Sequence, residues 1–109
     1  MWEEFAKLYK DVDIAWAAGL IEGEGCFTLH SNKHPYFLLD TTDKDVVEKF
    51  HKIFPFTNLR GPYTNSKKLH YKDRWRVDAF GSKARHIMIT VSPYLCSRRL
   101  AKINELLEY

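Results

Sequence analysis

Between Leu69 and Phe80 the chain sorts its side chains by parity: His70, Lys72, Arg74 and Arg76 alternate with Trp75, Val77 and Ala79. In a strand, successive side chains point to opposite faces, so the four basic groups would stand on one side, about 6–7 Å apart. The same sorting recurs upstream. Asn58 and Arg60 oppose Leu59 and Tyr63, while Thr28 and His30 oppose Phe27 and Leu29. Arg and Lys pair with guanine edges or phosphates, Asn with adenine, and Thr with either a base edge or a methyl. A sheet that is apolar beneath and lined with these groups above is equipped to lie in a DNA groove. An ordinary solvated sheet face is the alternative.

The charge distribution agrees with a polyanionic partner. Residues 1–57 carry a net −4, residues 58–102 a net +9 and the last seven residues −2, giving +3 overall. Such asymmetry suits one face built for double-stranded DNA rather than a uniformly basic surface. Other chemistries find little support. Cys26 and Cys96 are too few and too far apart for a disulfide framework or a zinc site, and the five histidines show no metal-binding spacing. No apolar stretch has the length of a membrane span, and the start, Met1-Trp2-Glu3-Glu4, lacks a signal-peptide pattern. The expectation is a soluble intracellular protein, in a bacterial or phage-infected cytoplasm or an organelle, with no membrane partner and no small-molecule substrate. At 109 residues it forms one domain, 1–109, or half of a symmetric assembly.

The elements that would position these groups follow from periodicity and punctuation. Asp13 reads as the N-cap of a helix running through Ile14-Ala15-Trp16-Ala17-Ala18-Gly19-Leu20-Ile21, with Gly25 as its C-terminal cap. That run is apolar on every side, so it must be buried by its own domain and by something else. Strands follow at Cys26 to His30 and Tyr36 to Thr41, around a turn at Ser31–Pro35. Thr42 or Asp43 opens a second helix with Val46, Val47, Phe50 and Phe54 on one face, and Pro55 closes it. Thr57 to Tyr63 and Leu69 to Phe80 form a second hairpin around Thr64–Lys68. Gly81-Ser82 opens a helix to about Tyr94, and Ser97 caps a last one to Leu107. The fold class is α+β, in the order αββαββα with a final helix. The two hairpins form one four-stranded antiparallel sheet, a saddle with helices on its other face.

Trp16-Ala17-Ala18-Gly19-Leu20-Ile21-Glu22-Gly23-Glu24-Gly25 resembles the signature of the LAGLIDADG homing endonucleases. Thr42-Asp43-Lys44-Asp45-Val46-Val47 and Ser92-Pro93-Tyr94-Leu95 are similar to later segments of that family, so the resemblance covers nearly the whole chain. It implies that two such helices pack together at the centre of the molecule. With one motif per chain the second comes from another copy, an isologous homodimer with Ala18, Gly19, Glu22 and Gly23 at its interface. It implies further that Glu24 is the metal carboxylate, holding Mg²⁺ (Mn²⁺ as a substitute) beside the DNA phosphates. Lys83, with Arg76 in reserve, stands where family members carry a basic residue that helps order water. Thr41, next to Asp40, stands at the end of the second strand, where the family commonly has a Gln that meets the metal-bound water.

The activity so implied is site-specific, metal-dependent cleavage of both strands of a pseudo-palindromic DNA target across the minor groove, in the service of intron or intein mobility. Two departures bear on it: Glu replaces the commoner Asp at position 24, and Thr replaces Gln at 41. The alternatives are a non-cleaving DNA-binding regulator or an intron RNA splicing factor on the same fold, and, outside the family, a small interaction module. The acid at position 24 and the absence of an appended helix-turn-helix favour cleavage.

Overall fold

In the computed structural model, which describes residues 8–64 and 72–109, a helix α1 (Asp11–Glu24) leads into a hairpin of β1 (Cys26–His30) and β2 (His34–Thr41). Helix α2 (Lys44–Ile53) connects it to a second pair, β3 (Asn58–Tyr63) and β4 (Arg74–Phe80). Helix α3 (Ser82–Val91), a 3₁₀ turn (Ser92–Tyr94) and helix α4 (Ser97–Leu106) complete the chain. The strands make one antiparallel sheet in the order β1-β2-β4-β3, so the hairpins join through their long inner strands. This is the α+β architecture expected from the alternation.

The sheet buries one face. Phe27, Phe37, Leu39, Val77 and Ala79 point beneath it and meet Val47, Phe50 and Phe54 of the α2 region. Stacked Phe37 and Phe50 rings, 5.3 Å between centroids, and Phe50 with Phe54 at 5.0 Å form its aromatic centre. Helix α1 adds Ile14, Ala17, Ala18 and Ile21, and α3 adds Ile87, Met88 and Val91. None of the described helices is long and apolar enough to cross a membrane.

Local chemistry places the boundaries. Helix α1 begins two residues ahead of Asp13, after Lys10, so Asp11 and Asp13 both lie in the first turn, where the helix dipole favours acids. The first hairpin turns tightly at Ser31 (φ 55°) and Asn32 (φ 57°), closed by the Lys33 N–H on the His30 carbonyl at 3.2 Å. Pro35, expected in that turn, instead belongs to β2 opposite Leu29. The third helix stops at Val91 rather than Tyr94, because Pro93 has no N–H to continue it and the chain tightens into the 3₁₀ turn. Ser97 is the first residue of α4, and Cys96 is its N-cap.

Gly25 caps α1 as expected, but by a different means. Its backbone is extended (φ −74°, ψ 159°), a conformation open to any residue. What requires glycine is space: a Cβ there would lie 2.9 Å from the Ile21 Cα and 3.0 Å from its carbonyl oxygen. The Gly25 N–H meets that carbonyl at 2.9 Å, so the turn from α1 into β1 is drawn tight against the helix. Gly25→Ala is therefore expected to lower stability by roughly 1–3 kcal/mol, as overpacking a close contact does. Urea unfolding checks this, and an unchanged midpoint would show that the contact relaxes freely.

Candidate nucleic-acid interface

The strand registers assemble the outer face of the sheet row by row. Thr28, Tyr36 and Phe80 align across β1, β2 and β4. Cys26, Leu38, Asp78 and Asn58 form the next row across all four strands, and Asp40, Arg76 and Arg60 the third. His30 and His34 pair at the turn end. Of the residues expected to bind DNA, Thr28, His30, Asn58, Arg60 and Arg76 thus share one face. Arg74 shares the parity of Arg76 and is exposed at the start of β4; Lys72 is exposed just before it. His70 lies outside the described residues, as do Leu69 and Tyr71 of the expected fourth strand and Asn65–Lys68 of its turn.

The face is not simply basic. Asp78, only 2% exposed, sits in its middle and accepts three hydrogen bonds from two other strands. Asn58 Nδ2 reaches its Oδ1 at 3.0 Å, while Arg60 Nε at 3.0 Å and the Tyr36 hydroxyl at 3.2 Å reach Oδ2. In the next row Asp40 accepts a bidentate pair from Arg76, Nε to Oδ1 at 2.8 Å and Nη2 to Oδ2 at 2.9 Å. That hydrogen-bonded guanidinium holds the Asp40 carboxyl below the usual carboxylate range, against an opposing push from partial burial. The same bond raises Arg76, which stays charged throughout. Burial, then the charge of Asp78, pushes the Tyr36 hydroxyl up, so it remains a donor. Strand alternation could have found both acids, since Asp78 continues the parity of Arg74 and Arg76, and Asp40 that of Tyr36.

Two expectations are overturned. Alternation places Tyr63 on the face opposite Arg60, yet a bulge between Arg60 and Tyr63 inserts an extra residue and reverses its parity. Its ring lies 5.6 Å from the Arg76 guanidinium carbon, a cation–π contact. Thr41, expected at the end of β2 facing a metal-bound water, points into the core with 8% exposure. Its hydroxyl oxygen accepts the Asp43 N–H at 3.1 Å, ahead of α2. Asp40 is the residue at that end of β2 that faces outward.

The foot of α1 carries a second concentration of polar groups. Glu22 and Glu24 end the helix with no basic residue in its last turn, the wrong charge for the negative end of the dipole. Arg99 of α4 compensates: its Nη1 donates to the Gly25 carbonyl at 2.7 Å and its Nη2 to the Glu22 carbonyl at 3.2 Å. The Glu22 carboxylate accepts the Cys96 N–H at 3.1 Å, tying the start of α4 to the end of α1. Glu24 is exposed and makes no hydrogen bond or ion pair among the described residues. Sequence reasoning missed Arg99, and no local signal marks it, because its partners lie 74 and 77 positions away. Lys83 is exposed in the first turn of α3, just past β4, and no contact among the described residues joins it to Glu24.

Along α1 the residues facing away from the core are small. Val12 (70% exposed), Ala15, Gly19 and Gly23 form a stripe at helical spacing, and a Cβ added at either glycine would meet nothing within 4 Å. Ala18, expected in this stripe, instead packs in the chain's own core, and Glu22 is held by the Cys96 N–H. A concavity of about 750 Å³ lies between the start of α1 and the end of α2, lined by Tyr9, Lys10 and Ile53 among others. Neither Glu22, Glu24, Arg99 nor any polar residue of the outer sheet face lines it.

No family model matches the chain, and no curated protein does. Solved structures do. The homing endonuclease I-CvuI, in complex with the I-CreI target, superposes with a TM-score of 0.67 at 17% identity, over 89% of this chain and 64% of that one. The group I intron-encoded homing endonuclease I-CeuI, complexed with DNA, gives 0.62 at 17%, over 91% and 55%. The archaeal intron-encoded homing endonuclease I-Vdi141I, also complexed with DNA, gives 0.61 at 12%, over 92% and 72%. The chain thus spans about 64% of the length of I-CvuI and shares its fold.

The Asp40–Arg76 pair gives the face a measurable pH signature. A carboxyl whose folded value is depressed contributes its full stability above the ordinary carboxylate value, about 4, and loses it as pH falls through the lower folded value. Asp40→Asn is therefore expected to be less stable than wild type at neutral pH, with the gap closing in acid as the wild-type carboxyl protonates. Urea midpoints compared from neutral pH downward check this; a gap that stays constant would mean the pair carries no such linkage.

Proposed function

We propose that this chain, which has the LAGLIDADG homing-endonuclease fold, belongs to that family and acts as a homodimeric, site-specific DNA endonuclease. The observation that carries this reading is the foot of α1. An exposed carboxylate with no partner among the described residues, Glu24, ends a helix whose outer stripe of Val12, Ala15, Gly19 and Gly23 leaves backbone open to a second helix. A twofold axis along that stripe would bring two Glu24 side chains to the centre and run two sheet faces together into one extended surface.

Among the described residues of a single chain, no three His, Cys, Asp or Glu side chains converge. Mg²⁺, however, is commonly held by one or two carboxylates with the remaining sites filled by water and substrate phosphate oxygens. Free Glu24 oxygens from two copies fit that donor set. When bound, such an ion polarises the scissile phosphate and lowers the pKa of an attacking water. The chain's own groups do the rest. Thr28, His30, Asn58 and Arg60 face the groove, and exposed Lys72 and Arg74 meet phosphates. Arg99 offsets the negative helix end beside Glu24. Lys83 is the candidate for ordering water at the phosphate. The DNA in the neighbouring structures, and the magnesium and calcium present with two I-CvuI complexes, are consistent with this assignment.

A second reading, a DNA-binding regulator or splicing factor on this fold without cleavage, is favoured by one observation. Thr41 is turned inward, and its outward neighbour Asp40 is held by Arg76. Glu24→Gln separates the two. It removes the charge at nearly constant size, so binding, which rests on the sheet, is expected to survive or tighten. Cutting of a randomised duplex library in Mg²⁺ is expected to fall by orders of magnitude, with binding followed in Ca²⁺. Undiminished cutting by the variant would remove the catalytic assignment. Selective binding without cutting by wild type would favour the second reading.

A further inference from the structure

We infer that Asp78 is a specificity-determining positioning residue, which aims Arg60 and Asn58 at the bases while keeping the charge of Arg60 from acting on phosphates; this rests on the DNA-binding reading above. A buried carboxylate in the middle of a surface meant for a polyanion is electrostatically adverse, and it also bears a desolvation cost. It is fully satisfied here, by Asn58 and Arg60 from β3 and Tyr36 from β2. Those bonds orient what remains exposed. Arg60 gives Asp78 its Nε, and its side chain is still 48% exposed, so the outer pair of guanidinium nitrogens keeps a fork for a guanine O6/N7 edge. Asn58 gives one Nδ2 hydrogen, which settles which end of its amide faces inward and therefore the order of donor and acceptor it presents.

The charge argument points the same way. Arg60 and Arg76 are directly opposed across β3 and β4, an arrangement that repels. Asp78 and Asp40 hold one arginine each, so the like charges are separately compensated and neither guanidinium is free to follow the DNA backbone. Freed from Asp78, Arg60 would gain a phosphate contact and lose its aim. Affinity for any sequence would rise as discrimination falls.

The test selects binding sites for wild type, Asp78→Asn and Arg60→Lys from a randomised duplex library, then measures salt dependence on the selected and a scrambled duplex. Asp78→Asn is expected to flatten base preference at a position in each half-site, cutting discrimination there roughly tenfold. It is also expected to bind the scrambled duplex more tightly, with a log K against log salt slope steeper by about one. Arg60→Lys keeps the charge and loses the fork, so it should flatten the same position with the slope unchanged. Retained base preference and slope in a cooperatively folded Asp78→Asn would overturn the inference. Should that variant not fold, retained preference in Arg60→Lys would overturn it, and a flattened position would uphold it. A wild type that selects no sequence at all would sink the DNA-binding reading itself, and the inference with it.

Discussion

Helix α1 has no polar side wide enough to face water along its length, and the rest of the molecule is arranged around that constraint. One flank, Ile14, Ala17, Ala18 and Ile21, is covered by the chain's own core. The other shows Val12, Ala15, Gly19 and Gly23, too small to form a core by themselves and small enough to admit another helix backbone closely. Gly25 folds the chain back against the helix end, which starts β1 beside α1 and sets the edge of the sheet relative to the helix. Arg99 and the Cys96 N–H then fasten α4 to the same place. The position of Glu24 is therefore over-determined by backbone contacts, although its side chain meets no hydrogen-bond or ion-pair partner among the described residues.

Both polar regions break local rules. Acids end a helix at its negative pole, and carboxylates stand within a basic sheet face. In each case the disfavoured charge has a structural answer from a distant element: Arg99 for the helix end, and Arg60, Asn58 and Tyr36 for Asp78. Such conflicts between local preference and global fold are expected at functional sites. The acids also moderate the sheet. With Asp40 and Asp78 compensating Arg76 and Arg60, the described face presents oriented donors more than bare charge, the arrangement that favours reading bases over adhering to phosphates.

Much of this is legible in the sequence, and the failures have physical reasons. Alternation identifies the outer faces of β1, β2 and β4, because a two-residue period survives any detail of packing. It fails at Tyr63, where a bulge adds a residue; Gly61-Pro62 inside the strand is the local signal for it, and strict alternation runs past that signal. Thr41 shows the opposite error: its parity with Phe37 and Leu39 marks it as inward, and reading its position from a family resemblance set that aside. Gly25 is recognisable as a stop, but the close approach to Ile21 that demands glycine is tertiary. Arg99, Asp78 as a hub and the inward turn of Ala18 depend on contacts between distant segments, which periodicity cannot supply.

The proposed two-sided role of α1 can be measured without knowing any DNA target. Sedimentation equilibrium at micromolar concentration should give the mass of two chains for wild type and of one chain for Gly19→Leu. A Cβ at position 19 meets no described atom of the single chain within 4 Å, and the substitution replaces a poor helix former by a good one, so the monomer should fold at least as well. A folded variant that no longer associates, beside a wild type that does, is the result expected. A monomeric wild type across the micromolar range, or a Gly19→Leu protein that remains dimeric, would contradict the account.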